Sequence, residues 1–90
     1  MPIHVAVRLH AVLRRHHPGP NAHQPFEVEM ASGSNVSALI PALKLPPELV
    51  WVASVNGEAV EMDQLLHDGD RVSLFPPVAG GWLDGRGGTG

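Results

Sequence analysis

Leu66 to Gly81 reads LHDGDRVSLFPPVAGG, and the reading of this stretch decides the fold. Asp68-Gly69-Asp70 predicts an acidic tight turn in which Gly69 takes the positive φ that a side chain resists. Arg71 to Phe75 then alternates. Val72 and Leu74 fall on one face, and Arg71, Ser73 and Phe75 on the other. Pro76 and Pro77 carry no N–H and cannot extend a ladder, so the strand is expected to stop there. Val78-Ala79-Gly80-Gly81 has almost no side-chain bulk, and a backbone of that kind can be threaded into a narrow site on another protein. Extended, Pro76 to Gly81 reaches roughly 20 Å. Nine residues, Trp82 to Gly90, follow the glycine pair.

Upstream, Ile3, Val5, Val7 and Leu9 alternate with His4, Ala6, Arg8 and His10, which predicts a half-buried strand. Arg14 to Gln24 is polar, carries Pro18, Gly19 and Pro20, and reads as a loop longer than a tight hairpin turn. Phe26, Val28 and Met30 alternate with Glu27 and Glu29, giving a second strand antiparallel to the first. Ser34 is the expected N-cap of a helix whose stripe is Val36, Leu39, Ile40 and Leu43. Pro41 conflicts with a regular helix, which should therefore be short or kinked and stopped by Pro46-Pro47. The continuous apolar run Val50 to Val55 suits a buried central strand, although its parity is unreadable and leaves the side of Trp51 open. Asn56-Gly57 is a strong turn signal, with Ala59 to Met62 a brief strand beyond it. Asp63 to His67 reads as one helical turn with Leu65 and Leu66 inward.

The order β-β-α-β-β-β gives an α+β domain: a mixed sheet of four or five strands with one main helix across one face. Ninety residues make a single domain, and the absence of cysteine excludes disulfides, zinc–thiolate sites and Cys nucleophiles. A chain without cysteine cannot carry sulfur as its own persulfide. No apolar run approaches the ~18 residues of a membrane span. The start has no basic-then-apolar leader pattern, so the expectation is a cytoplasmic protein. The net charge of −3 is uneven: residues 1–57 carry +1 and residues 58–90 carry −4. That balance argues against nucleic acid; it suits either docking on a basic protein surface or a solubilising face.

Candidate catalytic groups are few. His4 and His10 share a side of the first strand but stand roughly 20 Å apart, too far to share an ion. His16, His17 and His23 lie in one loop, where a polar loop with incidental histidines outweighs a metal site. No serine comes with a motif that places it beside a histidine, and Gly85 to Gly90 (GRGGTG) lacks the strand and helix of a phosphate cradle. Phe75, outward beside the Pro-Pro exit, is either an incidental exposed aromatic or an interface anchor.

The motif LxDGDxVxxFPPVAGG resembles the C-terminal signature of the MoaD/ThiS sulfur carriers, which have the ubiquitin-like β-grasp fold; Val55-Asn56-Gly57-Glu58 supports it. The resemblance covers most of residues 3–81 and implies a carrier domain over residues 1–81, not itself an enzyme. It implies that Gly81, with Gly80 before it, is adenylated by a ubiquitin-activating-type enzyme and converted to a thiocarboxylate. Sulfur then passes to cofactor synthesis of the molybdopterin or thiamine type. It implies no bound cofactor, with ATP used by the activating partner. Phe75, Pro76, Pro77, Val78 and Ala79 become the partner interface, facing the activating enzyme and a sulfur-accepting synthase subunit such as the large subunit of molybdopterin synthase. PPVAGG leans towards molybdopterin and LPPELVWVASVNGEAV towards thiamine.

This sequence departs from the family pattern at its end, because Gly81 is in peptide linkage to Trp82. Residues 82–90 are then a flexible extension removed between Gly81 and Trp82, as by a JAMM-type metalloprotease; alternatively, the protein is a β-grasp interaction module with an inactive tail. A foreign addition is the third reading, though the segment resembles no purification tag. A ubiquitin-like modifier, attached to lysines through Gly81, is the competing class.

Overall fold

The computed structural model describes residues 1–77. Five strands form one mixed sheet: β1 (Pro2–Leu9), β2 (Phe26–Ala31), β3 (Val52–Val55), β4 (Glu58–Val60) and β5 (Arg71–Phe75), in the order β2-β1-β5-β3-β4. β1 and β2 are antiparallel, as expected, and β5 lies parallel to β1 and antiparallel to β3 at the centre of the sheet. The alternation in β1 and β5 sets the layers. Val5, Val7, Leu9, Val72 and Leu74 are buried beneath a short helix, and His4, Arg8, Arg71 and their neighbours face the other way. Leu13, Val36, Leu39, Leu45 and Leu66 close the core from the helical side. Full burial of each such side chain is worth about 1.5–3 kcal/mol.

The acidic turn is the clasp between the two ends of the chain. Gly69 has φ +88°, and its N–H donates to the His4 carbonyl at 2.8 Å. The His4 N–H in turn donates to Asp68 Oδ1 at 2.8 Å. Asp70 Oδ2 accepts from the His67 N–H and Oδ1 from Asn56 Nδ2, while Asn56 Oδ1 accepts from the Arg71 N–H. Asn56-Gly57, at φ +53° and +89°, forms the two-residue hairpin between β3 and β4. The two turns read from the sequence are thus tied to one another through Asn56 and Asp70.

Several sequence expectations are corrected. The N-cap is Asn35, one residue beyond Ser34: Asn35 Oδ1 accepts from the Ala38 N–H at 3.1 Å, whereas Ser34 Oγ donates back to the Ala31 carbonyl. The helical segment begins as a 3₁₀ turn, Val36–Ala38, and continues as α1, Leu39–Ala42. Pro41 is accommodated because it falls in the first turn of α1, where a missing N–H matters little. Pro46-Pro47 does not end α1. Instead the Leu45 N–H donates to the Ile40 carbonyl and the Lys44 N–H to the Pro41 carbonyl, with Lys44 at φ +57°. This is a Schellman cap with lysine in the position glycine prefers. Lys44→Gly is therefore expected to stabilise the fold by about 0.5–1 kcal/mol, read as a higher midpoint in urea unfolding at unchanged m-value.

β3 lies one place in from the edge and is not the central strand; Val52 is exposed and Ala53 buried, so it alternates after all. The run looked continuous because buried Val50 and exposed Trp51 precede the strand proper. Asp63 to His67 is no helical turn. Leu65 bridges Asn35 in antiparallel fashion and is 53% exposed, leaving Leu66 alone to point inward. The loop after β1 opens with a 3₁₀ turn, Ala11–His16, which takes in the first residues of the expected loop and buries Leu13. No helix among the described residues is long and apolar enough to cross a membrane.

Candidate functional site

Because β1 and β5 run parallel, both strands reach the same end of the sheet, where the described residues stop at Pro77. Phe75 is the last residue of β5 and is half-buried on the face opposite Val72 and Leu74, as the alternation requires. Its ring stacks on that of His10, with centroids 4.2 Å apart and planes 16° apart. Val52, directly across from Phe75 on β3, is 48% exposed. The Phe75 carbonyl accepts from the Trp51 N–H at 3.0 Å, and the Leu74 carbonyl from the His10 N–H at 3.2 Å. Trp51, 63% exposed, anchors its indole N–H on the Glu48 carbonyl. Pro76 is buried and Pro77, the last described residue, is half-buried. Val78, Ala79, Gly80, Gly81 and Trp82, the other expected site residues, lie outside the described residues.

The sequence reading missed three members of this cluster. Trp51 and Val52 were hidden by the unbroken apolar run. His10 was placed on the correct face, but its partnership with Phe75 depends on the parallel register of β1 on β5, which no local pattern announces. Burial pushes the His10 imidazole below its ordinary value of 6.5, and the Arg8 and Arg14 guanidiniums add to the effect. Its Nε2 is buried without a hydrogen-bond partner.

A folded-state value below the unfolded one means that the unfolded chain binds the extra proton first. The contribution of neutral His10 is therefore complete above pH 6.5 and declines as pH falls from there through the lowered folded value. His10→Phe, which keeps a ring against Phe75 and cannot protonate, should flatten that part of the stability–pH curve, measured by urea unfolding between pH 5 and 7.5.

The other histidines form no shared centre. His4 lies 3.8 Å from both Glu29 and Asp68. Both ring nitrogens of His17 are engaged by backbone: Nδ1 accepts from the Gly19 N–H at 2.9 Å, and Nε2 donates to the Gln24 carbonyl at 2.8 Å. The ring also packs edge-on against Phe26, so His17 braces the loop. Among the described residues no three His, Asp or Glu side chains are grouped to hold a metal ion.

The exit geometry and the motif leading to it agree with a family comparison, in which the ThiS family model matches residues 10–81. The chain belongs to the ThiS family. Members of this family are small carrier proteins rather than catalysts, and they work with an adenylating enzyme of the ubiquitin-activating type and a synthase subunit. Among solved structures, a Pyrococcus furiosus protein assigned as molybdopterin converting factor subunit 1 is 30% identical. It is covered over 99% of its length by 84% of this ThiS-family chain, at a TM-score of 0.63. The HVO 2177 protein of Haloferax volcanii is 23% identical, with 89% of this chain covering 88% of it at a TM-score of 0.69. Small archaeal modifier protein 1 of Haloferax volcanii is 22% identical, with 84% of this chain covering 99% of it at a TM-score of 0.64. The last two likenesses show the fold, a ubiquitin-like β-grasp. A search of curated proteins gives no match.

Proposed function

We propose that the protein is a sulfur carrier made as a precursor. Removal of Trp82 to Gly90, by a protease of the JAMM metalloprotease type, frees the Gly81 carboxylate. An adenylating partner joins that carboxylate to AMP from ATP and releases pyrophosphate; a persulfide sulfur then displaces AMP, and the thiocarboxylate is left after the persulfide bond is reduced by a thiol. The observation that carries this reading is that the family match runs to Gly81 and stops there, on the second glycine of the pair. The chain supplies the acyl carbon and a docking face of Phe75, Pro76 and Pro77, continued by Val78 and Ala79. The partners supply ATP, the metal ion and the catalytic groups. The likeness to molybdopterin converting factor subunit 1 favours a synthase subunit that builds the molybdopterin dithiolene as the acceptor.

The same acyl-adenylate would make a protein modifier if an amine attacked it in place of sulfur. Incubating the Gly81-ended chain with an activating enzyme, ATP, a persulfide donor with excess thiol, and lysine-bearing proteins separates the two. The carrier reading expects the small chain to gain sulfur and remain free; a ladder of isopeptide-linked products without thiolated carrier would replace it with the modifier reading.

A further inference from the structure

The sheet face that bears Phe75 also holds a depression of about 350 Å³ whose polar lining residues are Arg8, Ser54, Asn56, Arg71 and Ser73. Ser54 and Ser73 are directly opposite one another on β3 and β5, and Ser73 is the register partner of Arg8 on β1. The three side chains therefore form one row across three strands, with Arg71 two residues before Ser73 on the same face. Neither serine hydroxyl nor the Arg71 guanidinium hydrogen-bonds another described side chain or backbone group. Arg8 donates from Nε and Nη2 to the His23 carbonyl, which orients its guanidinium without neutralising it.

Among the described residues no arginine pairs with a carboxylate, although eight acidic side chains stand there against five basic ones. Asp68 and Asp70 accept from backbone N–H groups and Asn56, Glu29 faces His4, and Glu27, opposite Ala6 on β2, makes no ion pair with Arg8. A cluster of hydrogen-bond donors is thus left positive within an acidic domain.

We infer that this row receives carboxylate side chains from an acidic segment of the protein that docks over Phe75. Two features favour a peptide segment over a free phosphate. The row crosses two inter-strand spacings, roughly 10 Å, which exceeds one oxyanion but suits a carboxylate and the polar groups beside it. Ser73 is two residues from Phe75 on the same face, so the depression is continuous with the apolar contact at the exit. The inference rests on the carrier reading for the identity of the occupant: the partner that takes Gly81 presents Asp or Glu at a fixed distance from its tail-binding cleft. The charge at the contact is then the reverse of what the acidic second half of the sequence suggested.

The test is an NMR titration of the ¹⁵N-labelled full chain with a hexaglutamate peptide, beside sodium phosphate and sodium chloride at matched ionic strength. Saturable shifts at the amides of Ala6, Arg8, Ser54 and Ser73 are expected with the peptide, and at least fivefold weaker binding in an Arg8→Gln, Arg71→Gln double variant whose remaining spectrum is unchanged. Shifts that merely follow ionic strength, or equal binding by the double variant, overturn the site. Saturation of the same amides by phosphate at equal or lower concentration overturns the peptide occupant in favour of a free anion. In a second arm, Arg71→Gln should raise the Kd for the activating enzyme about 5–20-fold, and an unchanged Kd removes that enzyme as the occupant. If the enzyme fails to bind even the native chain processed to Gly81 while the peptide still saturates the row, the carrier reading fails and the carboxylate site stands.

Discussion

Ending the chain at Gly81 is expected to turn it from an inert protein into an adenylation substrate. ATP–pyrophosphate exchange by the activating enzyme should be at background with residues 1–90 and robust with residues 1–81. The reason is the state of one carbon. In the full chain the Gly81 carbonyl is an amide to Trp82 and has no carboxylate oxygen to attack the α-phosphorus of ATP. In the shortened chain it is a carboxylate, and AMP converts one of its oxygens into a leaving group. The competing end, after the second pair Gly87-Gly88, would carry Asp84 and Arg86 close behind the carboxylate, a poor fit to a narrow cleft. A chain ended at Gly88 should accordingly remain at background. The exchange assay has a large dynamic range, so even weak activity of the full chain would be seen and would count against the account.

The second large effect is expected at Phe75. Phe75→Glu should raise the Kd for the activating enzyme or synthase subunit about 5–150-fold, the loss of a typical aromatic hot spot of about 1–3 kcal/mol. The ring is half-buried beside the exit, with Val52 opposite and Trp51 adjacent, so a docking partner that seats the tail must cover it. Stability should fall modestly. The substitution forfeits the stack on His10, worth about 0.5–1.5 kcal/mol, and leaves Val72 and Leu74 undisturbed on the other face. At roughly 4–8 °C per kcal/mol for a domain of this size, the melting temperature should drop by about 2–12 °C. Isothermal titration calorimetry beside thermal unfolding separates the two losses. Unchanged affinity with a large fall in melting temperature would make Phe75 a structural residue only.

How far these features could be read from sequence depended on the range of the interactions that fix them. β1 and β5 were legible because alternation with one buried face is a local pattern, and Gly69 and Asn56-Gly57 because positive φ selects residue types. The helix ends were not. Asn35 displaced Ser34 as the cap because the Ser34 hydroxyl was already turned back to Ala31, and Lys44 adopted a conformation its side chain does not favour. The parity of β3 was set by its antiparallel register on β5, which an apolar run does not encode. Leu65 was misplaced for a similar reason, since its bridge to Asn35 joins segments 30 residues apart. At the site, the motif identified the exit, whereas His10, Trp51 and the donor row of Arg8, Ser54 and Ser73 emerge only when three strands are laid side by side.

The most direct test of the central claim is intact-protein mass spectrometry with fragmentation. Residues 1–81 and residues 1–90 are each incubated with the activating enzyme, ATP and a persulfide donor with excess thiol. The account predicts that residues 1–81 gain the mass of one oxygen-to-sulfur exchange, localised to Gly81, and that residues 1–90 keep their mass. Thiolation of the longer chain at Gly90, or failure of the Gly81-ended chain to react with an enzyme active on its own carrier, would contradict it.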